Sequence, residues 1–339
     1  MKILMLGYSP YLPEILRALK GSHFLANNQI DITIPVPKLK RHKKLLFVAK
    51  KRLTTDEFKQ FMVDFKRHYD SEQHQKMVHQ TFPDVSLSFL RAYSNICLKE
   101  YHGLENIPLA DYDYMIVASF GKKIPREIFG APKYGTLNVH PSFLPDLRGG
   151  YPTYIQAFDP TQQRGTTIHQ MSEGFDEGEI VIQKQYETAP YLLNSQLLSE
   201  SAKCAAELLE RLQQTHFQFT PIKQEERRST ECRKLLKGKH YVGQMKTGAE
   251  FEGFVRANHD RYLFPYTYTF LAGELFMILD VQPVFTQMSV SNWSDGQIQE
   301  NQGRYYIKFG PQVYLVCQYI FRGRKKHDMI LGVHLQGAL

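Results

Sequence analysis

The chain has 339 residues, 42% of them apolar and 22% charged, and a formal net charge of +8 at pH 7. That composition excludes a disordered or fibrous chain, the length suits two domains, and no apolar run approaches the roughly 20 residues that cross a bilayer. The excess of Lys and Arg favours a polyanionic partner without saying which. Lys2 to Leu6 (KILML) is an apolar run ending at Gly7, the pattern of a buried first strand of a parallel sheet. Leu12, Ile15, Leu16 and Leu19 then share one helix face, and Asp31 to Val36 reads as a second strand. Strand, helix and strand over about 35 residues form a right-handed crossover unit.

Lys38 to Arg52 carries Lys38, Lys40, Arg41, Lys43, Lys44, Lys50, Lys51 and Arg52 and no acid. A helical stretch from about Thr55 to His79 follows, in which His68, His74 and His79 lack the spacing of a metal site. Tyr112 to Phe120, Gly135 to Val139 and Thr166 to Met171 read as further strands, and alternation with helices argues for an α/β sheet that binds ligands at its carboxyl edge. Ser195 to Gln213 reads as a helix and Gln224 to Lys239 as a polar linker. Beyond it, Tyr262 to Leu271, Leu275 to Val284, Tyr305 to Phe309 and Val313 to Phe321 are rich in aromatic and β-branched residues, as in a small β-barrel. Cys97, Cys204, Cys232 and Cys317 form no Cys-x-x-Cys pair, so reduced thiols are expected rather than a zinc site or disulfide scaffold. The first 20 residues resemble neither a secretory signal nor an Arg-rich leader; a cytoplasmic protein is expected, with the mitochondrial matrix open only to a chain whose leader is missing.

The chemistry concentrates between Tyr134 and Gly178. Asn138 and His140 are two apart at a strand end, so both side chains face one side. Pro141 stops the strand, and Asp176 sits in the Gly-flanked turn Gly174-Phe175-Asp176-Glu177-Gly178, where it could return to the same cleft. An amide can donate to a developing oxyanion. A protonated His140 would add a charged donor, and Asp176 could orient or charge His140 or take a proton through a water. That is equipment for acyl transfer to an amine through a tetrahedral intermediate. No activated Ser or Cys implies a covalent acyl-enzyme. Taken alone, Asn-x-His is more often the end of an ordinary strand with a satisfied histidine.

The ordered series Asn138-Val139-His140-Pro141-Ser142-Phe143-Leu144-Pro145, then Arg148-Gly149, then Gly174-Phe175-Asp176-Glu177-Gly178 resembles the formyltransferase family that uses 10-formyltetrahydrofolate. The resemblance covers nearly the whole chain. It implies a Rossmann-like α/β formyltransferase domain with a parallel-rich sheet over 1–190, with an extension at about 50–105. Helix and linker over 191–239 and a small C-terminal OB-like β-barrel domain over 240–339 complete the expected order. It implies Asn138, His140 and Asp176 as catalytic residues, and 10-formyltetrahydrofolate beside Gly121, Lys122, Lys123, Ile124, Phe129, Leu144 and His169, with no metal. Ile124, Phe129 and Leu144 could equally be ordinary core, since pockets are themselves largely apolar.

Two branches share the two-domain build: methionyl-tRNA formyltransferases and sugar N-formyltransferases. Val117-Ala118-Ser119-Phe120-Gly121-Lys122 and the basic run resemble the tRNA branch. There Lys40, Arg41, Lys43 and Lys44 would meet the phosphates of initiator methionyl-tRNA, with the enzyme a monomer. His169 is more typical of sugar or nucleotide-precursor formyltransferases, and Arg148-Gly149-Gly150-Tyr151-Pro152 departs from the Arg-Gly-Ala-Ala-Pro of the tRNA branch. A catalytically dead RNA-binding relative or a formyltetrahydrofolate hydrolase remain alternatives. A nicotinamide oxidoreductase does not, because Gly7-Tyr8-Ser9-Pro10 lacks the glycine-rich turn.

Overall fold

The computed structural model describes residues 1–7, 11–33, 87–99, 101, 103–120, 122–225, 230–232, 240–259, 266–272, 274–285, 290–322 and 329–333. The basic run 38–52, with Lys40, Arg41, Lys43 and Lys44, the histidine-dotted stretch and Gly121 lie outside them.

The strands β1 (Lys2–Gly7), β2 (Gln29–Thr33), β3 (Ile96–Leu98), β4 (Tyr114–Ala118), β5 (Thr136–His140), β6 (Gly165–Gln170) and β7 (Ile180–Gln185) form one sheet in the order β3-β2-β1-β4-β5-β6-β7. Pairing is parallel from β3 to β5 and antiparallel from β5 to β7. The two faces follow from the period of two. Ile3, Met5, Ile116 and Ala118 point into a core with α1 (Tyr11–Ala18), α2 (His23–Asn27) and α5 (Asn194–Gln214), whereas Leu4, Leu6, Met115 and Val117 point into a second core with Ile107, Leu109, Tyr112 and Ile124. A sheet covered on both faces explains the unbroken apolar run of β1. A Cβ on Gly7 would run into the carbonyl oxygen of Ala118, so glycine is what lets β1 close on β4 at their carboxyl ends.

Short α3 (Arg126–Phe129) and α4 (Pro152–Phe158) flank β5, and α5 buries Leu197, Ser201, Ala205, Leu208 and Leu212 at helical spacing. Asp31 is buried within β2 and survives there because Lys99 Nζ and Tyr112 Oη, each at 2.6 Å, both donate to Oδ2.

The C-terminal part begins with α6 (Gly248–Asn258), capped by Thr247, whose hydroxyl accepts from the Glu250 amide at 3.1 Å. It packs Phe251, Phe254 and Val255 under a curled antiparallel sheet of β8 (Thr267–Leu271), β9 (Glu274–Val284), β10 (Ile298–Asn301), β11 (Arg304–Phe309), β12 (Gln312–Arg322) and β13 (Met329–Val333). Its order is β10-β11-β12-β9-β8, with β13 also on β12, and β10 and β8 at the two ends approach each other, which gives a barrel-like form. A bulge near Cys317 bends β12 against β9. α6 meets the first part through Phe158 against Phe254, 4.8 Å between ring centres, and through the Arg256 Nε donation to the Ala157 carbonyl at 3.0 Å.

Several boundaries differ from the sequence reading. β4 starts at Tyr114 rather than Tyr112, because the Tyr112 amide closes the preceding turn on the Leu109 carbonyl at 3.1 Å. β2 runs over 29–33, and 34–36 lie outside the described residues. β3, β7, β10, β13 and α2 were not expected: β3 and α2 are very short, and β7 is an edge strand that ends in exposed polar residues.

Replacing Gly7 by Ala is expected to cost about 1–3 kcal/mol, because the clash is with main chain rather than a movable side chain. Equilibrium urea unfolding checks this, and an unchanged midpoint would contradict the close β1–β4 approach.

Candidate active site

The site stands on one row of the sheet. Register places Val117 of β4 beside Asn138 of β5, and Asn138 opposite His169 of β6. All three open on a cleft of about 490 Å³, its mouth included, at the carboxyl edge of the parallel strands. Phe120, Ile124, Met171 and Phe175 supply apolar wall, Asp176 is at the foot, and Lys122, Lys123 and Glu173 are exposed at the rim.

Asp176 holds the group together. Its side chain is 13% exposed. Oδ1 accepts from Asn138 Nδ2 at 3.0 Å and lies 3.7 Å from His140 Nδ1 and 3.4 Å from His169 Nε2. Oδ2 accepts the Gly149 amide at 2.8 Å. Burial works against the carboxylate, but His140, His169 and the Gly149 amide outweigh it and hold Asp176 well below the usual carboxylate range. Asp176 adopts a left-handed backbone, φ 58°, as does Leu147 with φ 59°. A Cβ on Gly178 would run into the Gln170 carbonyl, so the turn that carries Asp176 lies flat on β6 only with glycine there.

His140 is 4% exposed and sits behind Asp176 rather than in the cleft wall. Its Nε2–H donates to the Leu147 carbonyl at 2.9 Å, which leaves Nδ1 as the nitrogen that faces Asp176. Burial lowers its pKa below the ordinary 6.5, against the opposing pull of Asp176 and the Leu147 carbonyl. This corrects the expectation of a His140 held charged by Asp176: the resting ring is neutral because desolvation wins. His169 Nδ1 donates to the Gln170 carbonyl at 2.8 Å, so its Nε2 receives one hydrogen of the Asn138 amide at 3.0 Å. Both amide hydrogens of Asn138 are thus occupied, one on His169 and one on Asp176. An oxyanion in the cleft would take the His169 bond in exchange, since a charged acceptor gives a bond roughly twice as strong as a neutral one.

The structure brings Asn138, Asp176, His169, Lys122, Lys123 and Ile124 to one cleft. It does not bring Phe129 or Leu144 there. Phe129 packs, half-buried, against the second core, and Leu144 is buried with its main chain bonded to Thr167 Oγ1 at 3.0 Å and Gln183 Nε2 at 3.2 Å. Sequence reasoning missed Phe120, Met171 and Phe175 as wall residues, although Phe175 is an aromatic placed beside Asp176 in a turn. Among the described residues no group of His, Cys, Asp and Glu is arranged to hold a metal ion. No helix among them is long and apolar enough to cross a membrane.

The formyl transferase family model matches residues 2–211. The chain belongs to the formyl transferase family. It is 31% identical over 206 residues to the methionyl-tRNA formyltransferase of Bacillus cytotoxicus (strain DSM 22905 / CIP 110041 / 391-98 / NVH 391-98), 60% of this chain and 65% of that protein. It is also 31% identical over 183 residues to that of Bacillus mycoides (strain KBAB4), 53% and 57% of the two chains. The chain therefore spans less than two thirds of the length of these relatives. HypX from Aquifex aeolicus, solved with tetrahydrofolic acid, shares the fold at TM-score 0.59 and 14% identity over 98% of this chain and 46% of its own. WlaRD, a sugar 3N-formyl transferase solved with dTDP and 5-N-formyl-THF, does so at TM-score 0.55 and 15% identity over 93% and 97%. The N-formyltransferase from Helicobacter canadensis, with folinic acid and dTDP-3-aminofucose, does so at 0.57 and 14% over 93% and 98%.

The lowered pKa values fix a pH dependence. The stability that His140 confers is complete above pH 6.5 and is lost as pH falls through its folded value; that of Asp176 is complete above 3.8 and is lost at lower pH still. The urea midpoint of the wild type is expected to fall as pH drops below 6.5, more steeply than that of His140→Gln. Parallel curves would show that His140 titrates as an exposed histidine does.

Proposed function

We propose that this family member transfers the formyl group of 10-formyltetrahydrofolate to a primary amine. The observation that carries the reading is the Asn138–Asp176–His140 assembly at the foot of an apolar-walled cleft. Phe120, Ile124, Met171 and Phe175 fit a flat heteroaromatic ring system, and Lys122 and Lys123 at the mouth suit the carboxylates of a folate tail. Bound there, the folate supplies a formyl carbon as electrophile.

The residues then divide the work. Asn138 turns one amide hydrogen to the developing oxyanion. Neutral His140 has a free lone pair at Nδ1, and it can receive the proton of the attacking amine by way of Asp176 or a water. The imidazolium that forms lies 3.7 Å from Asp176 Oδ1, in a dry setting where that attraction is strong, and it would give its proton to the folate nitrogen as that nitrogen's bond to the formyl carbon breaks and tetrahydrofolate leaves. Asp176 is ionised before and after the transfer and fixes the three groups.

For the acceptor we favour the amino group of methionyl-initiator tRNA. The 31% identity to methionyl-tRNA formyltransferases and the +8 charge support it, with Lys40, Arg41, Lys43 and Lys44 as phosphate contacts. An amino sugar on a nucleotide carrier is the second reading, favoured by the buried His169 on Asn138. Purified protein is expected to formylate methionyl-initiator tRNA with 10-formyltetrahydrofolate as donor. Formylation of amino-sugar nucleotides alone would overturn the tRNA acceptor, and no formyl transfer to either would overturn the activity. In an active protein, Asn138→Ala is expected to lower kcat by about 10²–10³, the usual cost of one oxyanion donor.

A further inference from the structure

Beyond α5, residues 222–225 and 230–232 are bound to the site rather than lying free as a linker. Ile222 exchanges both main-chain bonds with Ile180 of β7, each 2.8 Å. Further on, the Arg148 amide donates to the Thr230 carbonyl at 2.9 Å and the Cys232 amide to the Arg148 carbonyl at 2.7 Å. These residues are thus anchored on β7 just beyond the turn that carries Asp176, and on the 147–149 loop, which contacts His140 and Asp176.

Between these anchors Gln224 uses its whole amide. Its Nε2 donates to the carbonyls of Asp176 at 2.8 Å and Gly178 at 2.7 Å, and its Oε1 accepts from Arg148 Nε at 3.0 Å and Nη2 at 2.8 Å. Two donors and two lone pairs are all an amide has. Thr230 does the matching task for histidine: its hydroxyl accepts the Leu147 amide at 2.8 Å, and the Leu147 carbonyl is the acceptor of His140 Nε2. Both supported residues, Asp176 and Leu147, hold left-handed backbones that persist only where surroundings over-determine them.

We propose that Gln224 and Thr230 are positioning residues that set the separation and orientation of His140 and Asp176, so that the catalytic geometry is complete only with both of their contacts in place. Neither lies in the stretch matched by the family model, 2–211. The inference rests on the reading of His140 and Asp176 as the catalytic pair. An apolar side chain at 224 strands two carbonyls and removes the Arg148 acceptor, and the Asp176 turn relaxes with them.

The test uses the full chain, with Gln224→Leu and Thr230→Val; the second removes one hydroxyl and carries the test if the first unfolds. Two substrate-free readouts are the ¹³C titration of the Asp176 carboxyl and the ¹⁵N titration of the His140 ring. Asp176 is expected to titrate at higher pH in Gln224→Leu, and His140 to shift in Thr230→Val. In an active enzyme kcat should fall about 10- to 100-fold, as a displacement near 1 Å can cause, with the Kd of tetrahydrofolate within twofold of wild type. Titrations that match wild type in both folded variants, or a kcat within twofold of it, would overturn the proposal. A purely structural role would lower Tm and leave both titrations in place. A wild type that transfers no formyl group would end the functional reading, and the titrations would still decide this one.

Discussion

An ionised carboxylate in a nearly dry place is the constraint from which the site follows. Asp176 accepts from the Asn138 amide and the Gly149 main-chain N–H, with the His140 and His169 rings 3.7 and 3.4 Å from its Oδ1. Such a group tolerates burial only when its lone pairs are met, so each partner must be held in place by something else. β5 holds Asn138 and His140, β6 holds His169, and the Arg148-Gly149 loop holds the amide. The sheet order that puts β5 next to β6, and the glycines that let β1 meet β4 and the Asp176 turn meet β6, are the fold-level answer to that one charge.

Charge and neutrality are divided between neighbours. Asp176 is pushed toward ionisation and His140 toward neutrality, although they lie 3.7 Å apart. Environments that drive two groups apart in this way mark an acid–base pair, with the neutral ring ready to receive a proton and the carboxylate ready to stabilise the result. Asp31, also buried, is instead bonded directly to Lys99 and Tyr112 in the first sheet.

The parts of this arrangement differ in how readable they are from sequence. Asn138-x-His140 was legible because strand periodicity alone puts both side chains on one side, and the glycine-flanked Asp176 turn because only a tight return brings it back to them. The apolar run of β1 and the aromatic strands of the C-terminal sheet were legible for the same reason: burial on a pleated surface leaves a period. Gln224 and Thr230 were not. They lie in a stretch of Gln, Glu, Arg and Ser with no period, and their role depends on contacts across 48 residues to Asp176 and 83 to Leu147. The clue was Arg148, an arginine that must find acceptors once buried; the sequence does not say which ones. The resting charge of His140 was also misjudged, because a neighbouring aspartate is visible in the sequence and the depth of burial that outweighs it is not.

The direct measurement is histidine ring ¹⁵N NMR on the wild-type protein at pH 7 with no ligand. The expected spectrum shows His140 neutral, with its hydrogen on Nε2 and Nδ1 bare toward Asp176. A His140 protonated on both nitrogens, or carrying its single hydrogen on Nδ1, would contradict the division of charge on which the proposed chemistry stands.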